Sequence, residues 1–282
     1  MPPERIDRLA ASLPVLLLMA LACMTVLVPV WRSRVPAVRL EPAGGRREPA
    51  LWTFAESFLC ICVWYIAQFF FGALLMPVIR PVWGIAGLAL VAQVFATLTG
   101  CAFGFYVVRR VIGQPAATLG LAGARPSSYR GAVAVLLLSF PSIEVIAALW
   151  MIVLHFVAGL DPETQAPVQE FAQYLRRGDI GSMVFLALAG VIVAPLGEEF
   201  LFRGVVHTLL RDRWGAAAGT IASSAIFAGA HLSLAGFVPL WVLGALLARV
   251  YDRSGSLYPA MLFHAAFNGI SLACIGLGSL AV

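Results

Sequence analysis

Seven polar residues stand out in the last hundred positions: Glu198, Glu199, Arg203, His207, His231, His264 and Asn268. They lie in otherwise apolar runs, beginning with APLGEEFLFRGVVHTLL at 194–210. An ionisable side chain inside a membrane costs roughly 2.5–3.5 kcal/mol even on a lenient scale, so such residues face a cavity or one another and mark a functional site by default. The types suit acid–base chemistry. A carboxylate can take a proton from water, an imidazole can take or return one, and an imidazole or carboxamide can donate hydrogen bonds to a developing oxyanion.

Helical spacing sorts the seven. Glu199, Arg203 and His207 recur at i, i+4 and i+8 and are expected to share a face, so Arg203 can pair with Glu199. Glu198 is turned roughly 100° away, with no cation near it in sequence, and is free to act as a base. A carboxylate removed from water holds a proton more readily, which suits that role. His231 closes SSAIFAGAH on the next helix, and His264 and Asn268 are i, i+4 in HAAFN on the last. Three of the four histidines thus gather on three helices beside paired glutamates, whereas His155 has no such company.

The elements that must position these groups are membrane helices. The chain has 282 residues, 61% hydrophobic and 12% charged, with mean hydropathy +0.92. A soluble domain carries about 25% charged residues. The apolar runs are long and continuous rather than alternating, so the fold class is all-α, a polytopic membrane helix bundle. Eight spans are expected, at about 9–31, 51–77, 84–108, 131–158, 181–203, 215–235, 237–252 and 257–280. The first follows Arg5 and Arg8, is too long for a signal-peptide core and has no cleavage site, so it reads as an uncleaved helix. Residues 1–180 form an N-terminal transmembrane region of about four helices with polar loops, 181–275 a core, and 276–282 a tail.

Three connections are polar: 32–50, 109–130 and 160–180, the last containing an amphipathic stretch, PVQEFAQYLRR, suited to the membrane interface. The net charge of +5 comes from 19 arginines and no lysine. Their dispersal through loops points to lipid head groups and not nucleic acid; their bias puts both termini outside the cell and the arginine-rich loops in the cytoplasm. The all-arginine composition hints at a bacterial source and a cytoplasmic membrane. The five cysteines sit in apolar runs without metal-ligand spacing and read as buried hydrophobes.

Depth is the one difficulty. Glu198 lies 16 residues before Trp214 and His231 16 after Gly215, each ~24 Å along its helix, but His264 is nine past Gly255, only ~14 Å in. Levelling them calls for helix tilt or a break near Pro259. Pro195 and Gly197 suggest a loosened helix beside Glu198.

EEFLFR (198–203), FAGAH (227–231) and HAAFN (264–268) match EExxxR, FxxxH and HxxxN patterns, and over about residues 181–275 the chain resembles the CPBP (CAAX protease and bacteriocin-processing, or Abi) family of intramembrane proteases. The resemblance implies an endopeptidase acting within the membrane on a peptide or membrane-protein substrate. Glu198, aided by His231, would activate water; His264 and Asn268 would stabilise the oxyanion; Glu199 and Arg203 would organise the site. No cofactor is expected. The alternative, a zinc site, would use Glu198 or Glu199 with His231 and His264, a set like open catalytic sites, but no HExxH helix is present. The GxSG and GxGD patterns of rhomboid- and presenilin-type proteases are absent too. A non-catalytic binding or immunity protein of the same fold, and a transporter with a proton relay, are the rival classes. Intact motifs weigh against the first. The lack of discontinuous repeats weighs against the second.

Overall fold

The computed structural model describes residues 18–19, 21–32, 49–113, 115–160 and 166–280; among these every regular element is helical. Residues 1–17 and 33–48, which include the start of the first expected span and most of the first polar loop, lie outside the described residues.

Helix α1 (Leu21–Trp31) lies against α4, where the Cys23 thiol donates to the Ser142 carbonyl at 3.7 Å. Helix α2 (Phe54–Val111) starts at a capping box: the Thr53 hydroxyl accepts from the Glu56 N–H and the Glu56 carboxylate accepts from the Thr53 N–H. At ~1.5 Å per residue a straight helix of this length would far exceed the ~30 Å hydrocarbon core. It folds back at Gly84, whose φ of 67° and ψ of −168° only glycine adopts readily. Pro77 and Pro81 weaken the approach to the bend by removing helical hydrogen bonds. The arms then pack together: the rings of Phe71 and Phe95 stack 4.7 Å apart, and Arg110 at the far end pairs with Glu56 at the start. Two expected spans, 51–77 and 84–108, are thus the arms of one hairpin.

After α3 (Pro115–Thr118) comes α4 (Pro126–Val153), which ends in π-helical turns at Leu154–Ala158. The amphipathic stretch forms α5 (Ala166–Arg177), with Phe171 buried. Helix α6 (Ile180–Trp214) is the longest single-span helix, and α7 (Ala216–Ala230), α8 (Phe237–Ser254) and α9 (Leu257–Leu280) complete the bundle. Residues 276–280, expected as part of a tail, continue α9 because their sequence, GLGSL, stays apolar and carries no proline.

The depth difficulty is resolved by an offset between turns. A Cβ on Gly204 would lie 3.6 Å from Leu257 Cδ1, so α9 begins level with the middle of α6, about ten residues above the α6–α7 turn. The recessed α8–α9 turn is supported from below by the loop after α3: the Leu257 N–H donates to the Gly120 carbonyl at 2.8 Å, and the Ser256 hydroxyl to the Ala122 carbonyl at 2.8 Å. The backbone of α9 is continuous helix through Pro259, which stands in the first turn where its missing N–H costs nothing.

The hairpin meets α6 along a seam of small residues. A Cβ on Gly104 would lie 2.9 Å from the Phe200 ring, and one on Gly197 would lie 2.8 Å from Thr97 Oγ1 and 3.0 Å from its Cγ2. Gly197 is therefore there for close approach, the usual use of small residues between membrane helices. Overpacking such a contact costs about 1–3 kcal/mol. Gly197→Ala is expected to lower the melting temperature of the detergent-solubilised protein by several degrees. Gly72→Ala, where a Cβ would meet nothing within 4 Å, is expected to leave it unchanged.

Candidate active site

Pro195 cannot donate the backbone hydrogen bond expected of a helix interior. Around it α6 changes its winding: π-helical turns run over Ala189–Val193 and Glu199–His207, with an α-helical turn, Ala194–Glu198, between them. The i→i+5 turns place nearly one more residue in each turn, a distortion found frequently at functional sites. The two glutamates sit at the second junction.

Glu199 is fully buried and makes two polar contacts with one oxygen: Oε1 lies 3.1 Å from Arg203 Nη1 and accepts from His264 Nδ1 at 2.7 Å. The Arg203 guanidinium is also buried. Its other end donates to the Gly244 carbonyl at 3.3 Å, and its centre lies 4.2 Å above the Phe227 ring. The expected Glu199–Arg203 pair is present. The bond to His264 is additional, and it fixes the tautomer: with Nδ1–H given to the carboxylate, Nε2 is left to face the site.

His231 is prepared in the same way from another helix. Its Nδ1 donates to the Phe227 carbonyl at 2.8 Å, one turn earlier in α7. Both free Nε2 atoms then point at one acceptor. Glu198 Oε2 lies 3.7 Å from His231 Nε2 and 3.8 Å from His264 Nε2. These separations are too long for hydrogen bonds, and Oε2 is buried without a hydrogen-bond partner among the described residues. His231 and Glu198 remain partly exposed, at 23% and 13% of their side chains, while His264 is 3% exposed. The site is therefore approached from the His231–Glu198 side.

Phe227 ties the parts together. Its ring meets Phe202, His231 and His264 edge-on, at 5.3, 4.7 and 5.8 Å between centroids, and carries Arg203 on its face. The sequence contained this residue in FAGAH, but its ring contacts depend on how α6, α7 and α9 pack.

Asn268 Nδ2 donates to the Gly190 carbonyl at 2.8 Å, in the first π-helical stretch. One of its two amide protons is thereby committed to α6. His207 does not share the Glu199 environment expected from spacing, because the intervening turns are π-helical. It binds Ser223 Oγ through Nδ1 at 2.9 Å and Asp252 Oδ2 through Nε2 at 3.1 Å. Ser, His and Asp in line suggest a nucleophile, but His207 and Ser223 are 0% and 3% exposed, which leaves no path for a substrate. The line is a brace joining α6, α7 and α8, extended by Arg211 to Asp252 at 2.8 Å and by Asp212, which accepts from the Ala50 N–H at 2.9 Å.

Among the described residues no group of three His, Cys, Asp or Glu stands close enough together to hold a metal ion; the Nε2 atoms of His231 and His264, each with its Nδ1 held by another group, are the nitrogens that would face one beside Glu198.

The buried His207 and the partly exposed His231 should separate on mutation. His207→Ala strips partners from buried Ser223 and from Asp252, and an unsatisfied buried polar group costs about 1–3 kcal/mol. Its melting temperature is expected to fall clearly, and that of His231→Ala, at the partly exposed end of α7, to fall little.

Residues 180–270 match the family model described as type II CAAX prenyl endopeptidase Rce1-like. A curated Escherichia coli protein described only as an uncharacterized 24.3 kDa protein is 32% identical over 90 residues, 30% of this chain and 42% of that relative. The chain thus matches less than half of that relative's length. No solved structure matches the chain. Glu198, Glu199, Arg203, His231, His264 and Asn268 all fall inside the matched segment, and over residues 180–270, about a third of its length, the chain is similar to the Rce1-like family.

Proposed function

We propose that the protein is an intramembrane endopeptidase in which Glu198 activates water for attack on a peptide bond. The observation that carries this reading is the convergence of two histidine Nε2 atoms, from α7 and α9, on the unpaired Oε2 of Glu198 at 3.7 and 3.8 Å. A water between these groups donates to the carboxylate or to an imidazole nitrogen and presents its oxygen to a substrate carbonyl.

In this mechanism Glu198 takes one proton as the water oxygen bonds to the carbonyl carbon. The resulting oxyanion accepts hydrogen bonds from His264, when its Nε2 carries a proton, and from the second amide proton of Asn268. Collapse of the tetrahedral intermediate breaks the C–N bond. The proton from water passes from Glu198 by way of His231 to the leaving nitrogen, so the products are a carboxylic acid and an amine. Glu199 and Arg203 act through His264: they hold its ring and its tautomer. Donors fixed before the reaction are worth roughly 10²–10³ in rate each.

Zinc held by Glu198, His231 and His264 is the second reading; bound there, it would polarise water directly. No step above depends on it. The substrate is a peptide or membrane protein reached through the lipid, and the arginine-only basic composition favours a bacterial cytoplasmic membrane.

Two measurements test this. Comparative proteomics of membrane peptides from a wild-type strain and a Glu198→Ala strain is expected to show defined peptides lost, with their uncleaved precursors accumulating, in the mutant. Identical peptide sets would remove the case for proteolysis. With a substrate so identified, purified enzyme is expected to keep its rate through exhaustive chelation. A loss restored by zinc would replace the metal-free mechanism with the zinc one.

A further inference from the structure

The α2 hairpin lies outside the family segment, yet it carries polar groups to the level of Glu198. Three contact registers locate them. Between the first arm of α2 and α6, Phe54 meets Trp214 at 5.4 Å and Trp64 meets Phe202 at 6.3 Å. The two run antiparallel, so continuing one turn beyond Trp64 puts Gln68 opposite Glu198. Between the two arms, Phe71 stacks on Phe95 and a Cβ on Gly100 would lie 3.2 Å from Trp64. That register puts Gln68 opposite Thr97. Between the second arm and α6, Thr97 stands against Gly197, the residue before Glu198, so closely that a Cβ added there would lie 2.8 Å from Thr97 Oγ1. The three registers agree, and Gln68, Thr97 and Glu198 lie at one depth on three neighbouring helical segments.

Each of these residues has a buried oxygen with no hydrogen-bond partner among the described residues: Gln68 Oε1, Thr97 Oγ1 and Glu198 Oε2. Buried polar atoms without a partner are costly and uncommon, and three at one depth call for a shared ligand. The chemistry of the three atoms narrows it. The carboxamide oxygen and the carboxylate oxygen are acceptors, and the threonine hydroxyl donates or accepts. A water molecule has two protons for the two acceptors and a lone pair for the hydroxyl, and a buried water makes about three such bonds.

We propose that Gln68 and Thr97, one from each arm of the α2 hairpin, hold the attacking water against Glu198. Gln68 Oε1 accepts one water proton and Glu198 Oε2 the other, while Thr97 donates to the water oxygen. The proton that Glu198 removes is then the one already directed at it, and the remaining lone pair faces the substrate. This rests on the reading of Glu198 as the base. It adds that the hydrolytic water is oriented by a part of the chain that the family segment does not contain.

The test is a map that resolves ordered water in the full-length protein, for the wild type, for Thr97→Val and for Gln68→Met. Both substitutions keep volume and remove the polar atom. The wild type is expected to show a water within hydrogen-bond distance of Gln68, Thr97 and Glu198, and each variant to lose it or displace it from Glu198. With a substrate in hand, each variant is expected to lose about 10-fold or more in kcat with KM little changed. A wild-type map without a water on these three groups overturns the proposal, as does a water on Glu198 that both variants leave in place. The map is readable whether or not Glu198 proves to be catalytic. Water present with full turnover in Glu198→Ala would sink the catalytic reading while leaving the water site intact.

Discussion

The structure turns on one buried carboxylate. Glu199 is fully enclosed between Arg203, on its own helix, and His264, on α9. A buried charge is tolerated only when it is paired and hydrogen-bonded, so this side chain holds α6 and α9 in a single arrangement. The same contact decides the chemistry next door. Because Nδ1 of His264 serves Glu199, its Nε2 serves Glu198, and the two adjacent glutamates divide into a fixed anion and a free one. His231 reaches the same state by a cheaper route, a backbone carbonyl one turn away.

The supports lie in layers around that pair. Phe227 fills the space between Arg203 and both histidines, and its ring face accepts the guanidinium. Gly244 lets α8 approach: a Cβ there would lie 3.2 Å from the Phe227 ring, and its carbonyl takes the second end of Arg203. Further along, the His207–Asp252–Arg211 brace fixes the lower halves of α6, α7 and α8. The polar residues of α6 thus stand at two depths, with the proposed chemistry at Glu198 and cohesion at His207.

Much of this was legible in the sequence, for definite reasons. Long apolar runs gave the helices and even the two arms of α2, because proline and glycine mark the bend at 77–84. The i, i+4 spacing gave the Glu199–Arg203 pair. It failed for His207, because π-helical turns between 199 and 207 change the angular step per residue. Chain position alone set His264 too shallow, since nothing in sequence shows that the α8–α9 turn is recessed upon the loop at Gly120. Gly197 read as a loosening element and is a packing contact with Thr97. Gln68 and Thr97 drew no notice, because a single polar residue in an apolar span carries no pattern. Only the helix registers bring them to Glu198.

The central claim, that Glu198 is the base, is tested most directly by turnover of one substrate by purified full-length protein in which Glu198 is replaced by Gln. That change removes the charge and keeps the shape. The expected result is a rate about 10²–10⁴-fold below wild type, the loss typical of removing a general base, with an unchanged melting temperature. A Glu198→Gln protein that turns over substrate at the wild-type rate would contradict it.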